Sequence, residues 1–243
     1  MYGRAKIPQS LWPGQESSAV GSVSQAGVRL SAWTAGQMGK AKDNSYLMSF
    51  VTGGLYVNES VAVARLHRPG ADWDATAALA REVGAFPVRK ASSAQRSVRE
   101  IVNRLRRLSD DELAMFVESE RSEQASLLWL AACRAYRFIG EFAVEVLNER
   151  FLSLRTDLTY DDFDAFLAAK AEWSPKLATL KRTTHAKLRA VLFRLMREAE
   201  ILSPDARILG SILSRRVLAL IHCGNPDELR FFPGAERQMG EDR

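Results

Sequence analysis

Two stretches of this chain concentrate the side chains best suited to grip a phosphate. The first runs from Arg89 to Arg107. It holds Arg89, Lys90, Arg96, Arg99, Arg104, Arg106 and Arg107 against one acid, Glu100, a net +6 in 19 residues. At about 100° per residue, Val98, Ile101, Val102, Leu105 and Leu108 make one apolar stripe. Arg96, Arg99, Asn103, Arg106 and Arg107 then fall on the opposite side. Guanidinium groups bond bidentately to phosphate oxygens and to the guanine edge, so such a helix suits the major groove or a clamp on the backbone. The bland alternative is an ordinary solvated face. The excess of Arg over Lys and the near absence of acids favour a phosphate surface.

The second stretch runs from Lys176 to Arg197. Lys176, Lys181, Arg182, Lys187, Arg189, Arg194 and Arg197 meet no acid until Glu198, while Leu188, Val191, Leu192, Leu195, Met196 and Ala199 supply a stripe to bury. A helix from Tyr160 to Trp173, a short piece from Pro175 to Leu180, a helix opening at Thr183 or Thr184 and a two-stranded turn follow the order of a winged helix-turn-helix. In that arrangement Lys181, Arg182, the Thr183 hydroxyl and the helix N-terminus approach a phosphate. Lys187 and Arg189 lie near the groove, and Arg207 sits on or beside the wing. A small helical bundle whose hairpin serves only packing accounts for the same pattern, and the two readings stand side by side.

Other chemistry is sparse. Asp157, Asp161, Asp162 and Asp164 lack the central Gly and terminal Glu of a calcium loop, and acids after Thr159 are explained by the helix dipole. His67, His185 and His222 are in no metal-ligand spacing. Cys133 reads as a small core residue. Gly53-Gly54 lacks the further glycines and the Lys of a phosphate loop. Trp129 and Trp173 read as core rather than as stacking platforms. No general acid/base pair assembles, so the expectation is a protein that is not an enzyme and needs no cofactor or metal.

The elements that must position these residues are helical. Asn58 can cap a helix from Glu59 to Arg68, and Asp72 one reaching Val83. Phe86-Pro87-Val88 is extended, because the residue before proline is pushed out of the helical region. Ser92 or Ser93 starts the first basic helix, which ends at Leu108. Ser109-Asp110-Asp111-Glu112 is a capping box. Glu123 to Leu154 is a long helical stretch with a break near Gly140, apolar around much of its girth and so central in a bundle. Ile201 to Leu209 reads as two short extended pieces around a Pro-Asp turn. Ser214 caps a last helix to Ile221, and Asn225-Pro226 opens one more turn.

The 243 residues carry 34 Lys+Arg against 29 Asp+Glu, a net +5. Of this, +3 falls in residues 1–47, so the body is nearly neutral and any polyanion partner must be read from clustering. Apolar residues at 47% allow a substantial core. Two cysteines exclude a disulfide scaffold and fit a reducing cytoplasm. No apolar run approaches the roughly 20 residues of a spanning helix. The expected class is all-α: a helical bundle with helix-turn-helix-like elements and a C-terminal winged-helix-like part with a short β-hairpin. Residues 1–47 read as a disordered extension, with Met48 as the natural start. Residues 48–155 form an N-terminal helical part, 156–233 the winged-helix-like part and 234–243 a flexible tail.

Several segments, in order, resemble the BrxA family of bacteriophage exclusion (BREX) systems. They are Met48-Ser49-Phe50-Val51-Thr52-Gly53-Gly54-Leu55, Ser97-Val98-Arg99-Glu100-Ile101-Val102-Asn103-Arg104-Leu105 and Gln124-Ala125-Ser126-Leu127-Leu128-Trp129-Leu130-Ala131. Tyr136-Arg137-Phe138-Ile139, Glu141-Phe142-Ala143-Val144-Glu145-Val146-Leu147, Lys170-Ala171-Glu172-Trp173 and Lys187-Leu188-Arg189-Ala190-Val191-Leu192-Phe193-Arg194 continue the likeness, which covers about residues 48–233. It implies a helical, non-enzymatic component of an anti-phage system that binds double-stranded DNA. Its other partners would be BREX subunits, the methyltransferase and ATPase components. No membrane partner is implied, and a monomer or weak oligomer is expected. The alternative is a scaffold that assembles those subunits without touching DNA. RNA binding ranks below both, because no aromatic is interleaved with the basic runs.

Overall fold

Side-chain hydrogen bonds fix where four of the helices begin. Asp72 accepts from the Asp74 amide to open α2 (Trp73–Glu82). Ser109 and Glu112 form the reciprocal capping box that opens α4 (Asp110–Glu118), satisfying two amides that the helix itself leaves unpaired. Thr159 and Asp162 do the same for α8 (Tyr160–Ala171), and Ser214 accepts from Val217 to open α11 (Arg215–Gly224). The computed structural model describes residues 46–51, 53–84 and 91–239, apart from the side chains of 91–93 and 239. Residues 1–45 and the Phe86-Pro87-Val88 stretch, with Arg89 and Lys90, lie outside the described residues.

The other elements are α1 (Val57–Leu66), α3 (Ala91–Leu105), α5 (Arg121–Ala135), α6 (Arg137–Phe142), α7 (Glu149–Leu152), α9 (Pro175–Ala178) and α10 (Arg182–Glu198). A π-helical stretch, Ala143–Asn148, joins α6 to α7, and 3₁₀ turns Pro226–Phe231 and Ala235–Met239 follow α11. The fold is mostly helical. Where the sequence predicts a hairpin there are two isolated antiparallel bridges, Leu202 with Ile208 and Asp157 with Arg207, and no β-sheet among the described residues.

Helix α5 is the axis of the bundle. Leu127, Leu128, Trp129, Leu130, Ala131 and Ala132 are wholly buried, around its full girth, as the sequence requires. Trp129 donates its indole N–H to the Phe231 carbonyl at 2.9 Å. Phe138 and Phe142 of α6 meet Phe163 and Phe166 of α8 with ring centroids 5.1–6.1 Å apart, three of the four pairs edge-on or nearly so. These contacts cross the expected division between residues 155 and 156, so both parts share one core.

Four local expectations are corrected. The first helix begins at Val57 rather than after Asn58. Tyr56 is left-handed (φ 57°) and accepts from the Ser60 amide, while the Asn58 side chain instead accepts from Arg121. The long helical stretch breaks at Tyr136 (φ −125°, ψ 97°), not at Gly140. Gly140 serves a close approach, since a Cβ there would lie 3.0 Å from the Cys133 carbonyl. Tyr46, within the stretch expected to be a disordered extension, is packed, with its hydroxyl donating to buried Glu141 at 2.6 Å. At the other end, part of the expected flexible tail is packed: Ala235 is fully buried, the Gly234 amide donates to Asn148, and the Gln238 side chain bonds the Leu213 amide and Ser211 carbonyl.

Candidate nucleic-acid interface

The α3 stripe behaves as its period requires. Val98, Ile101, Val102, Leu105 and Leu108 are buried, and Arg96, Arg99, Arg106 and Arg107 are exposed. One arginine of the run turns inward. Arg104 is wholly buried, paired with Glu100 at 2.7 Å and donating to the Gly54 carbonyl at 2.8 Å. That pair removes one positive and one negative charge from the run and leaves the surface face purely cationic.

The exposed face borders a groove of ≈ 660 Å³. Arg96, Arg99 and Asn103 line it from α3, Arg106 from the turn just after it, Arg81 from α2, and Leu47, Ser49 and Val51 from the chain that leads into α1. Asp74 also lines it. Arg99 and Arg106 form no ion pair with a carboxylate among the described residues, and Arg106 donates to Asn103 at 2.7 Å. Asn103, expected on the solvent face, is half-buried and donates to the Tyr136 hydroxyl at 3.1 Å. Tyr136 in turn donates to Glu100 at 2.5 Å. Burial first, then the Glu100 charge, pushes the Tyr136 hydroxyl up to about 12, so it stays a donor at neutral pH. The groove floor is thus a relay from Arg106 through Asn103, Tyr136 and Glu100 to Arg104, and the break at Tyr136 is what aims that side chain at α3.

On α10 the structure separates the candidates. Lys181, Arg182, Thr183 and Lys187 are exposed. Lys181 sits at the N-cap position, where no side chain bonds the first amides. Arg189 is not available as expected. It pairs with Asp164 of α8 at 2.6 Å and lies over the Tyr160 ring, 4.4 Å from its centroid. Arg207 is exposed and 3.5 Å from Asp205, so a neighbouring carboxylate partly offsets it. Asp164 also approaches His185 Nε2 at 3.2 Å. Trp173, expected in the core, is 86% exposed.

Arg81 has no signature in the sequence that marks it as a groove residue, since it lies outside both basic runs. Asp164 does have one. Tyr160 and Asp164 are four apart, on one face of α8, which offers a ready partner for a basic helix packed alongside.

The model of the BrxA family matches residues 44–223. The chain belongs to the BrxA family. The match takes in Tyr46, the groove residues of α2 and α3 and all of α10. No curated protein matches the chain. Among solved structures, the crystal structure of an uncharacterized protein from Magnetospirillum magneticum is similar in fold, with a TM-score of 0.66 and 22% identity, covering 77% of this chain and 97% of that one. Among the described residues, no helix is long and apolar enough to cross a membrane.

Proposed function

We propose that this BrxA-family chain is a non-catalytic, double-stranded DNA-binding component of a BREX-type defence system, working in the cytoplasm. It grips the phosphate backbone with little sequence preference. The observation that carries this reading is the α3 groove, where the one acid of the basic run, Glu100, is paired internally with Arg104 and leaves Arg99 and Arg106 in no ion pair with a carboxylate among the described residues. The groove brings Arg81, Arg96, Arg99 and Arg106 together from α2, α3 and the turn just after α3. Long guanidinium side chains at such an edge position a duplex through its phosphates without reading bases. The exposed Lys181, Arg182, Thr183 and Lys187 at the start of α10 offer a further set of phosphate contacts. A non-catalytic role fits Cys133, whose thiol is fully buried and pushed well above its ordinary range by that burial.

Four groove contacts give a log–log dependence of affinity on salt with a slope of about −3.6. In a gel-shift titration, Arg99→Glu with Arg106→Glu reduces that slope to about −1.8 or abolishes binding. A wild-type chain that fails to shift duplex DNA at low salt overturns the proposal.

A scaffold role is the second reading. It is favoured by Leu47, 52% exposed on the groove wall, and by Val83, 56% exposed at the end of α2. In that case the same double variant abolishes co-purification with the other BREX subunits.

A further inference from the structure

Trp173 is out of place for its residue type. Tryptophan carries one of the largest apolar surfaces of any side chain, yet this indole is 86% exposed where α8 ends and α9 begins. The buried neighbours Ser174 and Leu177 hold the turn in place, and Pro175 opens α9. The indole is therefore carried on ordered chain rather than on a loose end.

The charge around it is one-sided. Glu172, just before it, is the last acid until Glu198. In between, Lys176, Lys181, Arg182 and Lys187 are exposed and form no ion pair with a carboxylate among the described residues. Arg189 is the cation on this stretch that a carboxylate neutralises, through Asp164. The chain thus places a bare aromatic face at the head of a run of uncommitted cations. Single strands are held by that combination, with bases stacking on the aromatic face and cations following the phosphates. A fully paired duplex keeps its bases stacked on one another and has no use for the indole.

We propose that Trp173 stacks an unpaired nucleobase, while Lys176, Lys181 and Arg182 hold the phosphates of that single strand. The site shares no residue with the α3 groove. The strand could be DNA or RNA, since both present the same base faces and phosphates.

The test is a fluorescence anisotropy titration of the full chain with oligothymidylate and oligouridylate of roughly 12 nucleotides, a length within known single-strand site sizes, and with a blunt duplex of equal length. Trp173→Ala weakens the single strand by roughly 5- to 150-fold, the range of one lost base stack, and Trp173→Phe keeps most of the affinity. Blunt-duplex affinity changes less than about twofold with either variant. Whichever homopolymer binds more tightly identifies the strand. Arg99→Glu with Arg106→Glu leaves the Trp173-dependent binding in place, so failure of the groove reading and failure of this one are told apart. If neither homopolymer binds, or if Trp173→Ala binds them as well as the wild type, the proposal is wrong. Because the Trp173 side chain is 86% exposed, Trp173→Ala leaves the thermal unfolding curve unchanged.

Discussion

Arg134 shows how much a single side chain holds. Its guanidinium bridges Glu112 of α4 at 2.6 Å and Glu228 of the last turns at 2.7 Å, and also reaches the Arg107 carbonyl. Burial works against its charge, but the hydrogen bonds to the two carboxylates outweigh that and raise its pKa. Replacing it with Met strands two buried carboxylates. Arg134→Met should cost about 3 to 5 kcal/mol in denaturant unfolding. Tyr136 gives a pH signature. Its hydroxyl ionises near 10 in the unfolded chain and at about 12 in the folded one. The stability it contributes is complete below pH 10 and is lost as the pH rises toward 12. Tyr136→Phe should remove that alkaline loss, about 2 to 3 kcal/mol, from the difference between the two unfolding curves. At this scale the sequence was readable where periodicity decided the outcome. Arg96, Arg99, Arg106 and Arg107 are exposed because the 3.6-residue period demands it. Arg104 pairs with Glu100 one turn away, but its burial against the Gly54 carbonyl, like the Arg189–Asp164 pair, depends on a segment distant in sequence.

Among the elements, local chemistry was the reliable guide. Asp72, Ser109, Thr159 and Ser214 all cap as their types and spacings require. Ser109→Ala should cost about 1 kcal/mol, read as a lower unfolding midpoint with an unchanged slope. Tertiary demands explain the misses. The break in the central helical stretch falls at Tyr136, whose hydroxyl meets Asn103 and Glu100 of α3, while the glycine nearby allows close packing against the Cys133 carbonyl. Ile201 to Leu209 does turn back on itself, but with one bridge to itself and one to Asp157. Its short length and the absence of a third long partner leave no sheet to be read. Trp173 is not in the core because α8 ends at Ala171, so the helical spacing that would bury the indole no longer applies there.

For the whole molecule, a net charge of +5 says little, since the body alone carries +2. What matters is that acids are withdrawn into internal pairs: Glu100 with Arg104, Glu112 and Glu228 with Arg134, Glu141 with Arg137 and Lys170. The mostly helical character and both basic runs could be recognised from sequence, the winged-helix hairpin not. Whether a given arginine faces solvent or a carboxylate became visible only once the segments met. One of those meetings joins the two basic helices. The Gly54 carbonyl is held by Arg104 of α3, and the Leu55 amide by Glu198 of α10 at 2.5 Å. A single peptide unit is thus gripped from opposite sides. Neither helix can slide along its axis without tugging that shared link, so a load placed on one cationic surface is felt mechanically at the other.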